Sequence, residues 1–288
     1  MDMLTRRDFR HLERLRVRTG ELDARQCVFH IHHLAYIEAA LAGYWRAMAL
    51  PYAQTLAHVE GDLQVSQSRI EHEAAAEHDD LLDVGVRIGR IGHSSLHFDA
   101  VVFRGEQALV RGELVHAFVD PLSRHGKPLP QALREALQAF EAGKPMVSVR
   151  VGDWAKLGPD AAAIRERVFI HEQNIPAEME WDGADDGCIH AVAYNRFGVA
   201  LATGRLLEHV PGVAKIGRMA VEQSMRGGRV GRAVLDALMQ AARERGEREA
   251  VLHAQLTALS FYSRAGYVAR GPVFDEVGIP HIEMVCVL

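Results

Sequence analysis

The stretch KIGRMAVEQSMRGGRVGRAVL, Lys215–Leu235, decides how the second half of the chain is read. Its first third is a short strand-like run. Arg226, Gly227 and Gly228 then form a turn, and Val230, Val234 and Leu238 recur at the spacing of one helix face. A strand that turns directly into a helix aims the free N–H groups of the first helical turn at one point, where the helix dipole adds positive potential. That is the layout of a phosphate-binding loop; a plain Gly-rich turn is the alternative. Arg229 stands where a third glycine is expected. Glycine is required only where φ is positive or where a side chain blocks the phosphate. If residue 229 keeps a negative φ, its N–H still serves and its guanidinium adds a contact to a phosphate, so a working loop with an altered grip is expected.

Working outward, "MVSVRV" reads as a strand and "PDAAAIRERVFIHEQ" as a helix opening at Pro159. "HAVAYN", "GVALATGRLLE" and "VAKIGRMAV" are three successive strands. Beyond the helix of the opening stretch, "EAVLHAQ" is a strand, "LTALSFYSRAG" a short helix and "HIEMVCVL" a final strand. In the first half, "RLRVRT" alternates as a half-buried strand. A helix from about His33 to Met48 carries Leu34, Ile37, Leu41, Trp45 and Met48 on one stripe. Four period-two segments follow ("DLQVSQS", "LLDVGVRI", "SLHFDAVVF" and "ALVRGELVHAFVD"), and the obvious cover for the helix stripe is the sheet they form. A closing helix, "LPQALREALQAFEAG", stops at Gly143 and Pro145. The expected fold class is mixed α/β, as two domains, residues 1–142 and 146–288.

The chain has 288 residues and a net charge of −5, which gives no reason to expect nucleic acid. Its three cysteines are far apart and in no C-x-x-C spacing, which reads as reduced thiols in a cytoplasmic protein. The opening "MDMLTRRDFRHLERLRVRT" lacks a secretory apolar core, and no run approaches the ~20 apolar residues of a membrane span.

The second half resembles the GNAT superfamily of acetyl-CoA-dependent N-acyltransferases. "RERVFIHEQNIPAEMEWD", "ATGRLL", the opening stretch, "LHAQLTALSFYSRAGY" and "DEVGIPHIEMV" carry the likeness over about residues 146–288. The resemblance implies that the strand edge at Met219 and Val221 pairs with the pantetheine amides. It places Arg226, Gly227, Gly228, Arg229, Val230 and Gly231 around the pyrophosphate. Tyr262 matches the family tyrosine that donates to the departing CoA sulfur; a core aromatic is its alternative. Six carboxylates and no Lys or Arg lie between Glu172 and Asp186. They read either as a solvated loop or as an acidic rim that recruits a cationic amine. Glu172 is the first candidate for the base or amine contact, and His281 of "GIPH" the second.

"ELDARQCVFHIHHLAYIE", Glu21–Glu38, resembles the active-site segment of the hot-dog acyl-CoA thioesterases of the 4-hydroxybenzoyl-CoA type. Asp23, Val28, Phe29 and Glu38 match, and Gln26 replaces the family glycine. The likeness spans about residues 12–140 and implies an antiparallel sheet around a central helix. Thioester hydrolysis needs a carboxylate to activate water or attack the acyl carbon, and N–H donors for the oxyanion. The resemblance implies Asp23 for the first and the backbone near His30 to His33 for the second. His30, His32 and His33 supply three imidazoles, but helical projection sends His30 and His32 different ways, and His72 and His78 are separated by five residues rather than three, so no metal is expected.

Taken together, these readings give a bifunctional CoA-ester enzyme, hydrolysing acyl-CoA in one half and transferring an acyl, expected acetyl, group to an amine in the other. Acetyl-CoA or acyl-CoA is the substrate, and a homodimer or tetramer forms through the hot-dog half. Two rivals remain. The first half is a non-catalytic acyl-CoA-binding or assembly module, or the second is an acetyl-CoA sensor without an acceptor.

Overall fold

The computed structural model describes residues 4–288; Met1 to Met3, which open the charged N-terminal stretch, lie outside them. The chain divides into two compact units between Met146 and Val147.

The first unit runs β1 (Leu12–Arg16), α1 (His32–Ala47), α2 (Tyr52–His58), β2 (Asp62–His72), β3 (Leu81–Ile91), β4 (Ser95–Arg104), β5 (Gln107–Val119) and α3 (Gln131–Glu141). Its five strands form an antiparallel sheet in the order β1-β3-β4-β5-β2. α1 packs on β1, β3 and β4. Its buried stripe is wider than the expected one: Tyr36, Ala40 and Tyr44 join Ile37, Leu41 and Trp45, while Leu34 is only half-buried. The inward residues of β4, Leu96, Phe98, Ala100 and Val102, lie under it. The far face is partly closed by Phe9, which packs edge-on to Phe103 at 5.8 Å. α3 ends at Gly143, in left-handed conformation at φ +70°, with Lys144 N–H bonded back to Ala139 O at 2.9 Å.

The second unit runs β6 (Val147–Gly152), α4 (Trp154–Arg165), a π-helical continuation (Glu166–Glu172), α5 (Ala177–Glu180), β7 (Ile189–Asn195), β8 (Ala200–Val210) and β9 (Val213–Val221). It continues with α6 (Val230–Glu244), β10 (Glu249–Gln255), α7 (Leu259–Arg264), β11 (Val268–Glu276) and β12 (Ile279–Val287). Seven strands are ordered β11-β12-β10-β9-β8-β7-β6. All pairs are antiparallel except β9 with β10. α4 opens at Trp154, not at Pro159. Asp153 caps it by accepting from Lys156 N–H at 3.0 Å, and Pro159 sits inside, forgoing one helical bond. β11 has no counterpart in the sequence reading because nearly all of it is exposed, so it carries no apolar alternation.

Two local features open the sheet. The parallel pairing of β9 and β10 stops after three residues, at Val251↔Lys215. Beyond it, Ile216–Val221 and Leu252–Gln255 pair only with their outer neighbours. β9 also bulges: from Thr203↔Ala220 to Arg205↔Gly217, β8 moves two residues and β9 three. The extra residue lies at Arg218, with φ +52°. α6 packs on one face at Gly204, where an added Cβ would meet Leu238 at 2.9 Å. The adjacent Arg205 turns to the α4 face, where it joins the ion pairs described below.

Candidate active sites

In the second unit β9 delivers the chain into the loop Glu222–Arg229, and α6 begins at Val230. Met219 and Val221 are half-buried, Arg226 to Arg229 exposed, and Val230 and Gly231 buried. No side chain caps α6, so the first-turn N–H groups face the loop without intrahelical acceptors. An added Cβ on Gly231 would lie 2.9 Å from Val221, which explains a glycine there. Arg229 does not meet the condition of negative φ: it has φ +63° and ψ +4°, the left-handed region. Gly227 is also left-handed, at φ +81°. The loop thus demands what glycine supplies most readily, and the chain provides it with an arginine.

The π-helical segment faces this loop. π-turns commonly accompany functional sites. Three side chains of this region bind across the opening: Arg167 to Glu222 at 2.5 Å, Glu172 to Arg226, and Gln173, just after the segment, to Gln255 of β10 at 2.9 Å. The Glu172–Arg226 pair is bidentate, with both Nη–Oε distances 2.6 Å. Those bonds hold the Glu172 carboxyl below the usual range, which weakens it as a base.

The carboxylate run is not an acidic rim. Glu172, Glu180, Asp182 and Asp185 are each bound to arginine, the partners being Arg165, Arg205, Arg218 and Arg226. Arg165 is fully buried, bonded to Glu180 Oε1 at 2.5 Å and Asp185 Oδ1 at 2.7 Å. Its guanidinium also lies 4.8 Å from the Trp181 ring and 5.6 Å from Trp154. Sequence distance hides this network: the arginines come from α4, β8, β9 and the loop before α6, outside the run. The hydrogen bond from Arg205 leads the forces that keep Asp182 ionised to low pH.

Tyr262, on α7, is buried among Phe261 and Tyr267, and burial pushes its hydroxyl up to about 12. The phenol therefore stays protonated at neutral pH, so it can offer a hydrogen bond and is no base. His281 is buried in β12, its Nδ1 2.8 Å from Ile279 O, and its ring stacks on Phe274. His253 of β10 lies inside the segment LHAQLTALSFYSRAGY, where the sequence reading assigns it no role of its own. It lies two residues past the end of the β9–β10 pairing, with Nδ1 3.4 Å from Glu276 Oε2.

In the first unit Asp23 opens a tight hairpin between Leu22 and Val28. Gln26 N–H bonds to Asp23 O at 3.0 Å, and Asp23 N–H to Cys27 O at 2.7 Å. Gln26 is left-handed at φ +61°, the place after a turn where glycine is favoured, which accounts for the family residue there. The Asp23 carboxylate accepts from Cys27 N–H at 3.1 Å, Arg25 N–H at 2.8 Å and the Arg25 guanidinium. The Cys27 bond leads in holding its pKa down. His30 is exposed just before α1. The N–H groups of His32 and His33 are already bonded, to Phe29 O and His30 O. Among the described residues, His30 and Ile31 remain as oxyanion donors, a narrower set than expected. A cleft of about 700 Å³ opens nearby between β1 and α1, lined by Leu15, Arg18, Glu21, His32, Tyr36 and Ala39. Asp23 does not line it. Glu21 is buried there and accepts from Tyr36 Oη at 2.7 Å.

The folds define the class: an antiparallel hot-dog unit followed by a splayed-sheet acyltransferase unit. The family model for the acetyltransferase (GNAT) domain matches residues 159–288, and that for the thioesterase superfamily residues 28–111. The uncharacterized N-acetyltransferase YjcF of Bacillus subtilis is 37% identical over 127 residues, 43% of this chain and 89% of the relative. Among solved structures, Escherichia coli ElaA is 24% identical with a TM-score of 0.44, covering 49% of this chain and 99% of ElaA. A thioesterase from Thermus thermophilus, solved with coenzyme A and Zn, is 26% identical with a TM-score of 0.41, covering 48% of this chain and 98% of that one. The chain belongs to the GNAT acetyltransferase family through its second unit, and joins to it a hot-dog thioesterase-superfamily domain. No helix among the described residues is long and apolar enough to cross a membrane.

Proposed function

We propose that the second unit transfers an acyl group, acetyl by preference, from CoA to an amine by direct attack in a ternary complex. The observation that carries this is the opening between β9 and β10, with the uncapped N-terminus of α6 following β9 at one end and a buried, protonated tyrosine in the same unit. The β9 edge at Met219 and Val221 offers amide partners to pantetheine. Arg226 to Gly231 and the α6 N-terminus surround the pyrophosphate, with Arg229 adding a guanidinium. Tyr262 protonates the leaving thiolate. A screen of amines with acetyl-CoA, read by product mass, tests the reading: transfer that disappears in Tyr262→Phe supports it. Absence of transfer to any amine favours an acetyl-CoA sensor.

For the first unit we propose acyl-CoA hydrolysis at Asp23, with His30 and Ile31 N–H groups at the oxyanion. The three donors on the Asp23 carboxylate favour a second reading, in which it shapes a hairpin and the unit binds acyl-CoA without cleaving it. Thiol release from a panel of acyl-CoAs, abolished in Asp23→Asn, supports the first; acyl-CoA binding without release supports the second. β2 is an edge strand of 11 residues, suited to pair with β2 of a second copy. Sedimentation should then give a dimer or tetramer.

A further inference from the structure

We propose that His253, oriented by Glu276, is the general base that deprotonates the acceptor amine, an inference that rests on the acyltransferase reading above. β10 leaves β9 at Val251, and alternation puts Val251, His253 and Gln255 on one sheet face. That face is the one carrying the π-helical segment, since Gln255 donates to Gln173. His253 therefore stands at the mouth of the opening. Across the sheet it pairs with Glu283, while Gln255 pairs with His281.

The shell around the ring sets its tautomer. Glu276 Oε2 lies 3.4 Å from Nδ1. A carboxylate there favours the tautomer with the proton on Nδ1, leaving the Nε2 lone pair for an incoming ammonium. Nε2 makes no hydrogen bond among the described residues. Phe274 of β11 packs edge-on at 4.9 Å, and its other neighbour is the stacked ring of His281. The charged groups facing His253 are Lys215 from β9, Glu276 from β11 and Glu283 from β12. Burial first, then Lys215, lower its pKa against the pull of the two carboxylates, so the ring is neutral at pH 7. The alternatives are worse placed. Glu172 is locked to Arg226, and His281 is buried with Nδ1 on a backbone carbonyl, where it braces Phe274.

The chemistry balances without another reactant. His253 Nε2 takes one proton from the ammonium and passes it to solvent. The amine nitrogen bonds to the acyl carbon as the C–S bond breaks, and Tyr262 protonates the thiolate. The second proton leaving nitrogen restores the phenol through solvent, so the net products are the amide, free CoA and one proton.

The test is the pH–rate profile of the full chain with acetyl-CoA and the best acceptor from a panel of polyamines, arylalkylamines and peptide N-termini. Wild type should show a rising limb below pH 6.5, the ordinary value for this group. In His253→Ala that limb should vanish, kcat fall about 100-fold or more, and added imidazole restore part of the rate. Glu276→Gln should move the limb to lower pH, because the carboxylate raises the ring's pKa. An unchanged profile with kcat within about threefold of wild type in His253→Ala overturns the assignment while leaving the acyltransferase reading intact. Failure of the wild type to acetylate any amine overturns that reading and this inference together.

Discussion

Arg229→Gly should separate what the backbone of the loop before α6 needs from what the side chain contributes to the proposed phosphate contact. At φ +63° a non-glycine residue carries roughly 1–2 kcal/mol of local strain. Glycine removes it but adds back roughly 0.5–1 kcal/mol of unfolded-state entropy. The net is a gain of about 0.5–1 kcal/mol, or roughly 2–4 °C in the melting of a unit this size. Arg229→Ala is the comparator, since it deletes the same guanidinium and keeps the strain; glycine should be the more stable of the two by about 1 kcal/mol. CoA affinity should move the other way. Losing one exposed guanidinium–phosphate contact is worth about 1 kcal/mol, so calorimetry should show roughly fivefold weaker binding in both variants. Alanine as stable as glycine would refute the left-handed assignment. A tenfold gain in affinity for glycine would show that the arginine obstructs the phosphate, at about 1.4 kcal/mol.

His33, buried at 3% exposure with neither ring nitrogen bonded, is held down to about 4, first by desolvation and then by His72. Its folded pKa lies below the ordinary 6.5, so the first unit keeps full stability above that pH. It should lose stability, by up to about 3 kcal/mol, as pH falls from 6.5 toward 4, and His33→Leu should flatten that slope in denaturant melts. Arg165→Met strips a partner from Glu180 and Asp185 together and should destabilise the second unit by roughly 3–5 kcal/mol. Asp185 is held low although burial opposes it, because bonds from Arg165 and Arg205 outweigh the desolvation. Its contribution is therefore present above pH 3.8 and lost only as pH falls through its lower folded value, a range in which acid unfolding should be steep. Glu172→Gln should cost less than about 1 kcal/mol, because the pair is partly exposed. By releasing Arg226 it should also tighten CoA binding at low salt.

Periodicity makes most of the architecture legible. The helix across the first sheet and the strand–loop–helix of the opening stretch show as patterns of apolar spacing, and the stop signals Gly143 and Pro145 mark where the first unit's last helix ends. β11 does not, because an exposed edge strand has no buried face to leave a period. The start of α4 is misplaced in the sequence because Pro159 looks like an opening residue, while the real cap, Asp153, precedes a turn with little amphipathic signal. Of the proposed site, the loop before α6 and Tyr262 are readable as motifs. The left-handed φ of Gln26 and Arg229 is not, since their side chains disguise positions where glycine is the usual signal. The carboxylates of Glu172 to Asp186 mislead for a different reason: their partner arginines are far away in sequence. His253 reads as one more residue of a strand, and only the end of the β9–β10 pairing gives it a place.

The central claim is that one chain carries two separate CoA-ester sites, and crossed substitutions test it most directly. Thiol release from acetyl-CoA and a longer acyl-CoA is measured with and without amine in wild type, Asp23→Asn and Tyr262→Phe. The prediction is that Tyr262→Phe abolishes only the amine-dependent release and Asp23→Asn only the amine-independent release. Loss of both activities in either single variant, or wild-type release that never depends on amine, would contradict it.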